Sequence, residues 1–309
     1  MEIINYSQDR VSKLEELPLK DILHTESELL YVVEKGEIKV FKKLIENSGE
    51  EFSNKSYTVT SLIDNRYRIN IDEIVFPEHA VSVSKNVVGF VMPNIRNVTL
   101  SKYMKDKRKT LTQKIELLKQ INEVLLKMKR VREREKMNFY INDFHEDNIL
   151  YNKDTERVNF VDIDSCRILQ NQPFLAKYLT RESLASYFPK KYIRNETNSS
   201  GYIIADQNSD LYCYAIIILN FLYQGRFDQL DITTARLYME YLKDIGFSDE
   251  FVTALSKPFE EDKENEFLGK YLDEITNEKT NETTHSQFLE YVLKKYWFLI
   301  KINIYLKCK

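Results

Sequence analysis

The stretch Ile149–Ile163, ILYNKDTERVNFVDI, constrains the fold of this chain more than any other. Two short apolar runs flank the polar connection NKDTER, a pattern that closes into an antiparallel β-hairpin. A hairpin centred near residue 155 sets Asn148 opposite Asp162, and directly opposed side chains stand about 4.5–5.5 Å apart at Cβ. An amide oxygen and a carboxylate at that spacing can share one hard divalent cation. Magnesium takes such oxygen ligands and completes its shell with waters and substrate phosphates. Asp143 lies five residues before Asn148, on the loop FYINDFHEDNIL that enters the hairpin. A carboxylate there can sit beside a metal without binding it, which is where a base orienting an attacking hydroxyl belongs. Phosphoryl transfer asks little else of a protein beyond positioning and charge neutralisation.

The surroundings of this hairpin divide in character. Leu29–Leu44 shows two β-rich runs around Glu34–Glu37, Glu50–Asp64 reads as a helix, and Ala80–Pro93 alternates, turns at Lys85–Asn86 and resumes as an apolar strand. The first 95 residues therefore predict a small, mostly antiparallel sheet with one helix, preceded by an N-terminal extension over residues 1–24. From Leu100 onward helical periodicity dominates. Leu111–Val131 carries an apolar stripe and a basic tail, KRVREREK, read as a solvated helix end. Further helices are expected at Asp206–Tyr223, Ile232–Ile245, Asp249–Leu255, Glu264–Ile275 and Ser286–Leu306. The fold class predicted is α+β and bilobal: a β-rich lobe over 1–95 and a larger helical lobe over 96–309.

Composition limits what such a chain does. With 43% hydrophobic residues and a formal net charge of −3, it has the makings of a packed core and no basic footprint for nucleic acid. Cys166, Cys213 and Cys308 lie too far apart in sequence for a C-x-x-C pair and are odd in number, so reduced thiols in a cytoplasmic protein are expected. The start, MEIINYSQDR, lacks a signal-peptide core, and the apolar run Tyr214–Tyr223 is too short to span a bilayer. A bacterial effector delivered into a host cytosol would have the same composition.

These residues together resemble the protein-kinase-like superfamily. Its pattern is D-x-x-x-x-N, a hairpin, then an aspartate in an apolar strand. Here that reads Asp143-Phe-His-Glu-Asp-Asn148 followed by Val158-Asn-Phe-Val-Asp162. The resemblance implies Asp143 as catalytic base, Asn148 and Asp162 as magnesium ligands, a catalytic loop over 141–150, a metal-binding hairpin over 149–164 and an activation-like segment over 162–205. It also casts GFVMPNIRNVTLSKYM (Gly89–Met104) as last sheet strand, hinge and first C-lobe helix. Met92 is then the gatekeeper, and Pro93, Asn94 and Ile95 offer backbone groups to adenine. NSDLYCYAIIILNFLYQG resembles the buried central helix of protein kinases, with Asp210 bonding the catalytic-loop backbone. The likeness spans roughly residues 25 to 255.

The departures from the pattern are as informative. For the lysine that anchors phosphate, EIKVFKKL offers Lys39, flanked by Ile38 and Val40, with Lys42 on the opposite face as runner-up. Residues 24–36 contain only Gly36, so a glycine-rich phosphate loop is absent. The helix acid that pairs with the lysine is expected near FSNKSYTVTSL, where Lys55 stands instead; Glu51 is the substitute. His145 follows the base by two residues, either contacting the γ-phosphate or bonding loop backbone. D-F-G becomes Asp162-Ile163-Asp164, whose extra acid either approaches a second metal or caps a turn.

The function expected is ATP- and magnesium-dependent phosphoryl transfer (manganese being an alternative metal) to a Ser or Thr hydroxyl of a protein, or of the chain itself by autophosphorylation. The alternatives are a pseudokinase scaffold, suggested by the missing glycines and by Lys55, and a small-molecule kinase of the aminoglycoside or choline type, suggested by His145 and Asp164.

Overall fold

The computed structural model describes residues 3–15, 27–44, 50–95, 97–168, 175–176, 203–204, 206–260 and 263–295. Its N-terminal part is built on a five-stranded sheet in the order β1-β4-β5-β3-β2. The hairpin expected around Glu34–Glu37 forms from β2 (Ser27–Glu34) and β3 (Glu37–Leu44). Its two turn residues, Lys35 and Gly36, have φ of 51° and 82°, the left-handed pair whose twist suits a two-residue connection. β4 (His79–Val83) and β5 (Asn86–Pro93) make the second hairpin, turning at Ser84–Lys85.

One strand was not legible in the sequence. Ile3–Asn5 (β1) pairs parallel with β4, Ile3 opposite Ala80, so the sheet is mixed and the first residues belong to it instead of extending from it. The short helix α1 (Gln8–Ser12) follows, and Tyr6 is buried against Phe41, ring centroids 6.0 Å apart. Three residues are too few to display an alternation.

The sheet has two apolar faces. One gathers Tyr6, Val11, Leu30, Val32, Phe41, Val81 and Val91. The other, with Leu44, Ala80 and Phe90, receives Val59 and Ile63 of helix α2 (Glu50–Ile69). That helix runs five residues past the expected end at Asp64, because Ile69, fully buried, still has core to fill. β5 and β3 approach closely at Gly89, where a Cβ would stand 2.2 Å from the Lys42 carbonyl oxygen.

The helical part begins after residues 94–97 with β6 (Val98–Thr99) and α3 (Leu100–Lys105). The long helix α4 (Leu111–Glu135) starts on a capping box between Thr110 and Gln113. β7 (Ile149–Asn152) and β8 (Arg157–Phe160) form the expected hairpin and join β6 in a three-stranded sheet. Downstream lie α5 (Gln207–Tyr223), α6 (Ile232–Asp244), α7 (Asp249–Ser256) and α8 (Asn277–Glu282). The helix expected over Glu264–Ile275 is instead a 3-10 segment, Leu268–Glu274. Gly269 donates its N–H to Asn122 Oδ1 at 3.0 Å in so close an approach that no side chain fits there. Residues 285–295 are helical; Cys308 and the rest of the expected last helix lie outside the described residues. Among those residues no helix is long and apolar enough to cross a membrane.

The two parts are joined by more than the 94–97 crossing. The segment after α2 pairs with β8: Val75 N–H donates to the Phe160 carbonyl at 2.9 Å and Phe160 N–H to the Glu73 carbonyl at 2.7 Å. The tail of α4, expected to be solvated, is also engaged. Arg132 donates to the Phe139 carbonyl and to Gln207 Oε1, both at 3.0 Å, and Glu135 takes Arg68 of α2 at 3.1 Å.

Candidate active site

The residues that converge between the two parts come from four places: strand β3, helix α2, the loop before β7, and the turn after β8. The loop is held first. Tyr140 and Arg167 exchange backbone hydrogen bonds of 3.0 and 2.9 Å, and Ile141 N–H donates to Asp210 Oδ2 at 3.3 Å. Asp210 therefore both sits in the first turn of α5 and bonds the loop backbone, as expected. Burial pushes its carboxyl well above the ordinary aspartate value.

Within the loop, Asn148 Nδ2 donates to the Asp143 carbonyl at 3.0 Å and to Asp143 Oδ2 at 3.1 Å. With the amide nitrogen so committed, the Asn148 oxygen is the atom able to face a cation. His145 Nδ1 accepts the Asp147 N–H at 3.3 Å, which leaves the proton on Nε2, and Nε2 stands 3.4 Å from Asp143 Oδ1. Of the two readings of His145 the structure shows the backbone bond, and it adds an approach to Asp143 that neither reading named. Burial works against the Asp143 charge, but the contacts from His145 and Asn148 win and hold its carboxyl below the usual range. Asp143 is ionised and oriented.

The hairpin brings Asp162 to the same patch by a different register from the one expected. Ile149 pairs with Phe160 and Asn152 with Arg157, so the hairpin is centred between residues 154 and 155. Asn148 therefore faces Val161, whose N–H donates to the Asn148 carbonyl at 3.0 Å, and not Asp162. The connection holds four residues, 153–156, with Glu156 at φ 55°. Asp162 itself has φ 58° and ψ 43°, a left-handed conformation that aspartate tolerates better than most residues. It breaks the strand alternation and aims the carboxylate by backbone geometry.

The lysine on this carboxylate is Lys42, not the favoured Lys39. Lys42 is 5% exposed, bonds Asp162 directly and lies 3.0 Å from Asp164 Oδ2. Its own burial lowers its pKa, yet the two carboxylates outweigh that and hold it above the ordinary lysine value. Lys39 projects from the other face and pairs with Glu78. Strand alternation carried the clue. Lys42 has buried apolar residues two positions away on both sides, Val40 and Leu44, whereas Lys39 has Phe41 on one side and the exposed Glu37 on the other. Apolar neighbours at i±1 lie on the opposite face from a strand residue; those at i±2 share its surroundings.

Asp164 is 2% exposed and its carboxylate is engaged by lysines. Its Oδ2 meets Lys42 and, at 3.8 Å, Lys55 of α2. Burial raises its pKa, while the Lys42 charge holds that of its neighbour Asp162 down in spite of burial. So Lys55 does not confront a lysine unaided: the acid expected on the helix stands in the turn instead. Glu51 lies in the first turn of α2, where side chains are outside the described residues.

Met92 packs with Phe90, Leu44 and Val59, on the Lys42 face of the sheet, and Pro93, Asn94 and Ile95 continue the chain toward β6. The activation-like segment falls almost wholly outside the described residues. Among those described, one other group of metal-ligating side chains, Glu34, Glu78 and His79, has ligand atoms within 4.8 Å of one another. Lys39 on Glu78 and Tyr6 on Glu34, with His79 Nε2 3.2 Å from Glu34 Oε1, make it a closed polar network.

No family model matches the chain, and no curated protein is similar to it at a significant level.

Proposed function

We infer that the chain is a bilobal, kinase-like phosphotransferase that uses ATP and magnesium to phosphorylate a Ser or Thr hydroxyl of a protein substrate. The observation that carries this reading is that Asn148 bonds Asp143, its carbonyl takes the N–H of Val161 beside Asp162, and Asp162 is bonded by Lys42. These are the residue types, in the chain order, that the protein-kinase resemblance asks for. Asn148 and Asp162 are the residues that would hold magnesium, whose charge when bound offsets that of the phosphates. Asp143, ionised and braced by His145 and Asn148, accepts the proton of the incoming hydroxyl. Lys42 supplies the fixed positive charge.

A magnesium-dependent transfer assay with radiolabelled ATP tests the reading. Asp162→Ala and Asp143→Asn are each expected to lower transfer by about a thousandfold, equivalent to about 4 kcal/mol of barrier. Equal background from wild type and both variants would sink it. One observation favours a second reading, a non-catalytic scaffold: Lys42 bonds Asp162 directly and so occupies the carboxylate a metal needs. Nucleotide binding with no transfer to any protein or metabolite hydroxyl selects that reading. The small-molecule kinase is favoured less, since Asp164, one of its two pointers, is engaged by lysines.

A further inference from the structure

Lys55 carries the wrong sign for its position in the protein-kinase resemblance, yet it is not a stray surface charge. Its side chain is 14% exposed and its Nζ stands 3.8 Å from Asp164 Oδ2. The same oxygen lies 3.0 Å from Lys42 Nζ. One nearly inaccessible carboxylate oxygen thus gathers two ammonium groups from two different elements, β3 and α2. That oxygen accepts no well-directed hydrogen bond, so its own pull on the two lysines is that of charge. The rest of the balance is Asp162, which bonds Lys42.

We propose that Lys42 and Lys55 form a two-cation cradle for the polyphosphate chain of a nucleoside triphosphate, with Asp164 as the carboxylate that keeps the pair together. The inference rests on the phosphotransferase reading of this site and adds to it the manner in which phosphate is held. A glycine-rich loop offers phosphate a nest of backbone amides. The one described glycine within the β2–β3 hairpin is Gly36, in a two-residue turn with open space around it. A second ammonium group makes up the missing positive potential, since lysine binds phosphate as a point charge that needs no fixed approach direction. The consequence is a site that recognises the length of the phosphate chain even without metal.

Calorimetric titration of the full chain in excess chelator, with ATP and with AMP, tests this. Wild type is expected to bind ATP about tenfold or more tightly than AMP, the worth of one added charge-assisted contact. Lys55→Met is expected to remove most of that preference and leave AMP binding unchanged, and Lys55→Arg to restore it. A wild type that binds ATP no better than AMP under chelation overturns the proposal without recourse to any variant. So does a folded Lys55→Met that keeps the full preference. Absence of nucleotide binding with magnesium present as well would instead remove the phosphotransferase reading beneath it.

Discussion

Replacing Lys42 with methionine isolates the ion cluster from any assumption about catalysis. The substitution keeps the length of the apolar stem between Val40 and Leu44 and removes one charge from a side chain that is 5% exposed. It leaves Asp164, 2% exposed, beside Asp162, with Lys55 3.8 Å away as the remaining lysine among the described residues. Deleting one partner of a buried pair costs about 3–5 kcal/mol, because the other charge stays in a poor solvent. Here the remaining lysine and the partial exposure of the Asp162 side chain, 37%, argue for about 3 kcal/mol, the low end. Lys39→Met is the comparison: it leaves Glu78, whose side chain is 30% exposed where that of Asp164 is 2%, so the stranded acid stays partly hydrated and the loss should be smaller, about 1–2 kcal/mol. Urea unfolding at neutral pH reads both, with an unchanged slope as the sign that only stability moved. The double variant Lys42→Met/Asp164→Asn should regain much of the loss, since it removes the stranded charge. The Asp162 pKa is depressed in the folded wild type, so its contribution is present above the ordinary aspartate range and is lost as pH falls. The gap between wild type and Lys42→Met should therefore narrow in acid. A larger loss from Lys39→Met than from Lys42→Met, or a double variant no more stable than the single one, would refute the reasoning.

Other outcomes follow from single contacts. Gly89→Ala drives a Cβ into the Lys42 carbonyl and should cost about 2–3 kcal/mol by thermal unfolding. Gly36→Ala meets only the strain of φ 82° and should cost about 1 kcal/mol. For Asp210 the folded pKa is raised by burial, so ionising it weakens the fold as pH climbs from the ordinary aspartate value of 3.8 toward the folded one. The melting temperature of wild type relative to Asp210→Asn should accordingly fall as pH rises, and a difference that grows with pH contradicts the assignment. Arg132→Met removes two hydrogen bonds that pin the approach to the loop before β7. It should cost about 1–2 kcal/mol and speed amide exchange around Ile141.

What the sequence made legible was whatever depends on local period. The β2–β3 and β4–β5 hairpins, the β7–β8 hairpin, α4 and α5 follow from alternation, turn residues and apolar stripes. Asp143 and Asn148 were legible because five residues of loop hold them together whatever the tertiary context. The register of the β7–β8 hairpin was read one residue off. A polar connection does not reveal how many of its residues belong to the turn, and Glu156 in the left-handed region decides it. Lys39 was preferred to Lys42 by its adjacent residues, when burial in a strand is shared two residues apart. The partnership of Lys55 with Asp164 joins residues more than a hundred positions apart and leaves no periodic trace. β1 was too short to register as a strand at all.

The long helix beside the sheet is fastened along its length: Val59 and Ile63 pack on the sheet, and Leu62 and Ile69 enter the main core. Arg68, in its last turn, grips Glu135 of α4 and reaches the Glu135 carbonyl at 3.3 Å, and Ile69 is sunk in the main core. Lys55 stands thirteen residues earlier, about 20 Å along the axis at 1.5 Å per residue. Swinging the Lys55 end about Arg68 would have to lift Val59 and Ile63 off the sheet, so the packing of the helix fixes where the Lys55 charge stands.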